Sequence, residues 1–304
     1  MDYVLRTNAL SKCYKDVKVL NGLSMNVPKG AIYGFIGKNG AGKTTLIRLI
    51  CGLQEPTSGS YNLYGRKNTD KEIVKSRRRM GAVVETPSIY LDMTAEDNLK
   101  QQYRILGLPS YDGLTDILKL VGLENTGKKK TKNFSLGMRQ RLGIAIALVG
   151  DPDFLVLDEP VNGLDPQGII EVRELILKLN RERQITALIS SHILDELSKL
   201  ATHYGFIDNG RIVKEMSAAD LEASCQKSVR IKVSDINVLV RVLDKMIIDY
   251  KILSDTTADI YAEINVSEIV LTLAEYNCEV ISMQEHDESL EIYYVSLVGG
   301  ERNE

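Results

Sequence analysis

The segment Gly37-Lys38-Asn39-Gly40-Ala41-Gly42-Lys43-Thr44 constrains this chain more tightly than any other feature. It fits the spacing GxxxxGK[ST] and follows the short apolar run AIYGFIG at 31–37. It leads directly into TTLIRLICGL, whose apolar residues recur at helical spacing. Glycines at these offsets let the backbone curl until successive N–H groups converge on one point, and the following helix adds its positive end. Such a concavity suits phosphate oxygens. Lys43 has the length and charge to reach the outer phosphates, and the Thr44 hydroxyl is a hard oxygen suited to Mg²⁺. With Thr45, the residues Gly37, Lys38, Asn39, Gly40, Ala41, Gly42, Lys43 and Thr44 form the candidate phosphate-binding set. Strand, glycine loop and helix in that order open a nucleotide-binding α/β unit.

The rest of the chain reads as strands alternating with helices. Residues 3–36 have strand character, with turn signals at Asn21-Gly22 and at 28–30. From about 86 to 150 the pattern is that of a helical insert, carried by DNLKQQYRILGL and TDILKLVGL. FLVLDEP at 154–160 is a buried strand, a helix follows over 167–183, and ITALISS at 185–191 is another strand. Asn209-Gly210 marks a hairpin. This alternation predicts a parallel sheet with helices on both faces. The pattern gives way near 216–227. Beyond it VRIKVS, IIDYKIL, IYAEINV (260–266) and CEVISMQ have strand character, with helical stretches near 236–246 and 267–276. The expectation is a nucleotide-binding domain over 1–222 and a small α+β domain over 226–304.

Several classes are excluded by composition. The net charge of −3, from 38 basic and 41 acidic residues, provides no excess of cations to offset phosphate repulsion, so no nucleic-acid partner is expected. Cys13, Cys51, Cys225 and Cys278 form no CxxC pair, which argues against a zinc or thioredoxin-like site and fits a reducing cytoplasm. The N-terminus lacks a signal-peptide stretch, and no run of about 18 apolar residues could span a bilayer. The run Lys128-Lys129-Lys130-Thr131-Lys132 reads as a solvated loop.

The strand FLVL ends in Asp158 and Glu159. Beside a phosphate-binding loop, an acid here holds Mg²⁺ directly or through water, and a second carboxylate can polarise an attacking water. The run Asn133-Phe134-Ser135-Leu136-Gly137-Met138-Arg139-Gln140-Arg141 ends 17 residues before Asp158. It resembles the LSGGQ signature that sets ATP-binding-cassette (ABC) ATPases apart from other proteins with this loop. Ser135 caps the helix starting there, and small residues at 135 and 137 let its N-terminus approach a phosphate. Asn162-Gly163-Leu164-Asp165 resembles the family's D-loop, and His192 resembles the switch histidine that senses the γ-phosphate. Tyr14, in SKCYKDV, resembles the aromatic residue that stacks on adenine. Six motifs in family order cover residues 1–220.

The resemblance implies the ABC ATPase fold with a helical subdomain over about 86–150, and ATP and Mg²⁺ as ligands. It also implies a homodimer with two ATP molecules sandwiched head to tail. Each site would join the loop of one copy to Ser135 and Gly137 of the other. Lys43 and Thr44 would bind phosphate and metal, Asp158 would support the metal, Glu159 would act as general base and His192 would position the γ-phosphate. A separate transmembrane permease would dock around residues 86–90 and hold the chain at the cytoplasmic face of the membrane. Leu136 stands where the signature has its first glycine, and Met138 where it has glutamine, so glutamine's amide hydrogen bonds are lost. Glu85 replaces the Q-loop glutamine that contacts the metal. Together with the small C-terminal domain, these departures resemble the bacitracin-resistance and lantibiotic-immunity branch. That branch implies export of a peptide antibiotic or similar amphiphile. An importer or lipid-exporter motor, and a soluble ABC ATPase acting on ribosomes or DNA, are the alternatives.

Overall fold

In the computed structural model, which describes residues 2–224, 227–261, 266–287, 293–294 and 297, three strands open the chain: β1 (Tyr3–Tyr14), β2 (Val17–Leu23) and β3 (Asn26–Pro28). The turn between β1 and β2 falls at residues 15 and 16, with Lys15 at a φ of 50°. It does not fall at Asn21-Gly22, where the dipeptide signals one. Leu10 pairs with Leu23 but Lys12 with Leu20, so over this stretch β2 carries one residue more than its partner. Gly22 absorbs the excess at a φ of 69°, and its N–H donates to the Ser11 hydroxyl (2.9 Å). A bulge and a turn demand the same left-handed backbone, and the dipeptide alone does not distinguish them.

The strand β4 (Ile32–Ile36) leads through the glycine loop into α1 (Lys43–Ile50). Next come β5 (Ser58–Leu63), β6 (Arg66–Lys67), α2 (Ile73–Arg77) and β7 (Met80–Val83). The helical insert consists of α3 (Ala95–Ile105), α4 (Leu114–Leu120) and α5 (Leu136–Leu148). After it come β8 (Phe154–Asp158), α6 (Pro166–Arg183), β9 (Thr186–Ser191), α7 (Leu194–Ser198), β10 (His203–Asp208) and β11 (Arg211–Ser217). The expected parallel sheet has the order β11-β10-β4-β9-β8-β7, with only β11 antiparallel. Every residue of β4, β8 and β9 is buried, as parallel strands covered on both faces require. Strands β1, β2, β3, β5 and β6 form a separate antiparallel sheet, a layer that the alternating pattern did not distinguish. A single apolar cluster, with Leu20, Met25, Phe35, Leu46, Tyr61 and Phe154 among its members, joins residues of both sheets and α1.

The helical insert is tied to the parallel sheet through β7. A Cβ placed on Gly81 would lie 2.2 Å from the Ala147 carbonyl oxygen of α5. Gly81→Ala therefore has to push a helix off a strand. Overpacking of this kind costs about 1–3 kcal/mol, and calorimetry should show Tm lowered by roughly 2–10 °C. In the lysine run Lys128, Lys129, Lys130 and Lys132 are exposed, whereas Thr131 is buried and donates its hydroxyl to the Tyr90 carbonyl (2.9 Å). Among the described residues Cys13, Cys51 and Cys278 are free thiols; Cys225 lies outside them.

The chain divides into two compact units, Met1–Ala218 and Ala219–Glu304. Helix α8 (Ala218–Ser224) occupies the stretch where the sequence pattern gives way. The second unit then runs β12 (Lys227–Val233), α9 (Ile236–Met246), β13 (Tyr250–Ser254), β14 (Thr257–Ile260), α10 (Val266–Glu275) and β15 (Val280–Asp287). Its antiparallel sheet, ordered β13-β14-β12-β15, is a split βαβ arrangement. Ile231, Val233, Leu239, Leu243, Ile260 and Leu273 lie in its core. The strand expected over 260–266 coincides with β14 only at Ile260. Val266 already begins α10, and residues 262–265 lie outside the described residues.

Candidate active site

The phosphate loop is held on both sides by backbone. A Cβ on Gly37 would lie 2.6 Å from the Ile207 carbonyl, and one on Gly42 would lie 3.0 Å from the Val19 carbonyl. Gly42 also sits at a φ of 110° directly before α1, a conformation open at little cost only to glycine. The hairpin between β10 and β11, with Asn209 and Gly210 at φ 46° and 74°, closes over the loop. The Gly210 N–H donates to the Ala41 carbonyl (3.1 Å), and its own carbonyl accepts from the Asn21 N–H (2.9 Å). A Cβ there would fall 2.3 Å from the Val19 oxygen. The loop borders a cleft of about 520 Å³ lined by Asn39, Gly40, Gly42, Lys43, Thr44 and Thr45, with Val19, Glu159, Asn162 and His192 completing the wall.

Lys43, Glu159 and His192 meet in that cleft. Lys43 is only 6% exposed, and its ammonium donates to the Gly37 carbonyl (2.6 Å) and the Lys38 carbonyl (3.3 Å). It also lies 3.2 Å from one Glu159 oxygen. The other Glu159 oxygen is 2.7 Å from His192 Nδ1. One carboxylate is thus shared by a lysine and an imidazole. Glu159 is fixed by its backbone at a φ of 48°, where its N–H donates to the carbonyl (3.2 Å) and hydroxyl (3.0 Å) of Ser190.

Ser190 is a functional residue that sequence reasoning missed. β8 and β9 are parallel neighbours in which Asp158 pairs with Ser190, so the fully buried Ser190 hydroxyl donates to the Asp158 carboxylate. The only sequence signal is its place two residues before His192, near the end of the strand β9. Ser190→Ala removes a donor from a buried carboxylate and an acceptor from the Glu159 N–H. Turnover should fall roughly 10–150-fold, in line with hydrogen bonds to charged groups, while thermal denaturation still reports a folded chain.

The residues fit Mg²⁺. Thr44 lines the cleft, and the Asp158 carboxylate, 1% exposed, is a hard oxygen donor held in place by Ser190. Among the described residues no group of three or more His, Cys, Asp or Glu could form a closed metal cage. Mg²⁺ needs none, because it takes one or two protein oxygens and completes its shell with phosphates and water.

Four of the expected site residues stand away from this cluster. Ser135 caps α5 by accepting from the Met138 N–H (3.2 Å), as the sequence predicts, with Gly137 buried beside it. Neither lines the cleft of its own chain. Tyr14 is exposed at the end of β1, where its hydroxyl donates to Gln54 and the Lys12 ammonium lies 5.4 Å from its ring centre. Val19 holds the apolar position in the cleft instead. Glu85 has a φ of 60° and forms an ion pair with Arg48. It opens onto a different groove, of about 470 Å³, with Thr86, Pro87, Ser88 and Gly143. The geometry brings Glu85 to Arg48 and not to Lys43.

A family model described as "ABC transporter" matches residues 20–162. The bacitracin transport ATP-binding protein BcrA of Bacillus licheniformis is 40% identical, over 99% of this chain and 99% of its own length. The lantibiotic transport ATP-binding protein SrtF of Streptococcus pyogenes is 44% identical, over 70% of this chain and 90% of its own. Among solved structures, cbiO1 of Clostridium perfringens, part of an ABC transporter complex, superposes with a TM-score of 0.66 at 25% identity. The alignment covers 81% of this chain and 96% of that one.

Proposed function

Because the chain belongs to the ABC transporter family as an ATP-hydrolysing subunit, we propose that it powers export of a peptide antibiotic or similar amphiphile through a separate membrane subunit. The observation that supports the motor's chemistry is the Lys43–Glu159–His192 cluster on the wall of the phosphate-loop cleft. ATP entering the cleft gives Lys43 phosphate oxygens in exchange for the Glu159 carboxylate. The freed carboxylate accepts a proton from the attacking water, and His192 donates to the γ-phosphate. ADP and phosphate are the products. Thr44 and Asp158 would hold Mg²⁺, which would neutralise charge developing on the phosphates.

Ser135 and Gly137 serve the nucleotide of a second copy, which accounts for their distance from their own chain's cleft. The cargo class rests on the relatives' names, bacitracin and lantibiotic transport. A separate permease is in keeping with the absence, among the described residues, of any helix long and apolar enough to cross a membrane. The groove beside Glu85 offers that permease a seat. The reading is tested in cells or vesicles containing the permease, with ATPase activity and antibiotic resistance measured together. Glu85→Gln should retain hydrolysis, whereas Glu85→Ala, which also frees Arg48, should hydrolyse ATP without conferring resistance. Unchanged resistance in Glu85→Ala would remove Glu85 from coupling. Co-purification with ribosomes instead of a membrane protein would overturn the transport reading.

A further inference from the structure

We propose that the lysine loop at 128–132 and the apolar segment at 90–93 form one surface that binds an anionic lipid bilayer directly. Lys128, Lys129, Lys130 and Lys132 are exposed. So are Tyr90, Leu91 and Met93, at 50%, 46% and 36%. Lys132 and Asp92 stand 40 residues apart in the chain, yet the two segments are neighbours in the fold. The Lys132 N–H donates to the Leu91 carbonyl and the Thr131 N–H to the Met93 carbonyl, both at 2.9 Å. Thr94 pairs with Lys130 in an antiparallel bridge. Both segments are held from the helical insert. The buried Asn98 of α3 accepts from the Tyr90 N–H (2.7 Å) and donates to the carbonyls of Tyr90 (3.1 Å) and Thr94 (2.8 Å). The Arg139 guanidinium of α5 donates to the carbonyls of Thr131 (3.3 Å) and Lys132 (2.7 Å).

The charge of this surface is local. Asp92 forms an ion pair with Lys132 (2.9 Å), but among the described residues no carboxylate lies within ion-pair distance of Lys128, Lys129 or Lys130. These cations stand on a chain whose net charge is −3. A lysine run by itself is a solvated loop, and the apolar side chains paired to it change what it suits. A nucleic-acid backbone would satisfy the lysines and leave Leu91 and Met93 in water. The boundary of a bilayer satisfies both, because ammonium groups meet lipid phosphates while tyrosine, leucine and methionine enter the edge of the acyl layer. Lysine's long apolar stem lets the charge stay at the headgroups as the chain approaches. The place of the surface supports this, in the one respect that rests on the permease reading above. Thr86, Pro87 and Ser88 line the groove beside Glu85, and the apolar segment begins two residues later. A membrane subunit seated in that groove brings the bilayer near Tyr90.

The test is co-sedimentation of the full chain, without any permease, with vesicles of phosphatidylglycerol and phosphatidylcholine in equal parts, against vesicles of phosphatidylcholine alone. The anionic vesicles should bind the wild-type chain about 100-fold more tightly, at about 5-fold for each of three lysines. The preference should vanish at about 1 M salt, where the screening length is about 3 Å. Lys128→Gln, Lys129→Gln and Lys130→Gln together should abolish it, and Leu91→Ser with Met93→Ser should weaken binding to both kinds of vesicle. All of these residues lie outside the nucleotide cleft, so ATP hydrolysis in solution should be unchanged and shows that each variant is folded. An anionic preference that survives the triple lysine variant would overturn the proposal. So would lysine-dependent binding to duplex DNA with none to vesicles, which would make the loop a nucleic-acid surface. Loss of permease co-purification in the triple variant, with no vesicle binding by the wild type, would assign the lysines to the permease and leave the transport reading standing. Vesicle binding by a chain that co-purifies with no membrane protein would sink the transport reading and uphold the lipid surface.

Discussion

Glu159→Gln is expected to bind ATP at least as tightly as the wild-type chain and to hydrolyse it about 10²–10⁴-fold more slowly, the range attributed to a positioned general base. The loss of rate follows from chemistry, because a carboxamide cannot accept the proton of an attacking water. The gain in binding follows from the geometry. In the free protein the Lys43 ammonium lies 3.2 Å from the Glu159 carboxylate, so ATP has to displace one anion to be held by the same cation. Glutamine keeps the shape and removes the competitor. Equilibrium binding and single-turnover hydrolysis separate the two effects. In ATP, size-exclusion chromatography should show the variant accumulating as a dimer, because closure requires binding and not cleavage. Wild-type turnover would remove Glu159 as the base and move attention to His192.

Lys43→Ala should weaken ATP binding about 10–150-fold, the loss of one or two hydrogen bonds to a charged group. The variant also strips Glu159 of its counter-ion inside a cleft about to receive phosphates, so like charges then face each other across it. The carbonyls of Gly37 and Lys38 lose their donor as well. Groups sharing one network are not additive. Lys43→Ala with Glu159→Gln should therefore bind ATP more tightly than Lys43→Ala alone, because the repulsion is gone. Calorimetric titration of the three variants measures this directly. A double variant weaker than the single one would show that the ion pair plays no part in nucleotide affinity.

Much of this site is legible in the sequence because its chemistry depends on fixed offsets along one strand–loop–helix unit. The span 37–45, the acid pair at the end of β8 and His192 just after β9 are all set by local spacing, and Asn39, Gly40, Lys43, Thr44, Glu159 and His192 line one cleft. Ser190 is not legible in this way. Its role comes from lying opposite Asp158 on a neighbouring strand 32 residues away, a register that no local pattern encodes. The partners of Glu85 and Tyr14 were not legible for a related reason: a family position fixes where the chain passes, but the partner of a long side chain depends on what else lies within reach. For Glu85 that is Arg48, and for Tyr14 it is Gln54. The buried strands β4, β8 and β9 were readable as unbroken apolar runs. The strand expected over 260–266 was not, because Ile260 ends one element and Val266 begins another within the same apolar stretch.

The hairpin closing on the phosphate loop also ties the site to the order of synthesis. Val19 and Ala41 emerge from the ribosome early, while Gly210, which is wedged against both, is made about 170 residues after Ala41. At roughly 5–20 residues per second, on the order of ten to thirty seconds pass before the clasp exists. Throughout that interval the loop has no hairpin against it, and for most of it neither Glu159 nor His192 has been made. Until nearly the whole first unit has been made, the nascent chain therefore lacks both the clasp and the Glu159 and His192 side chains that complete the cleft.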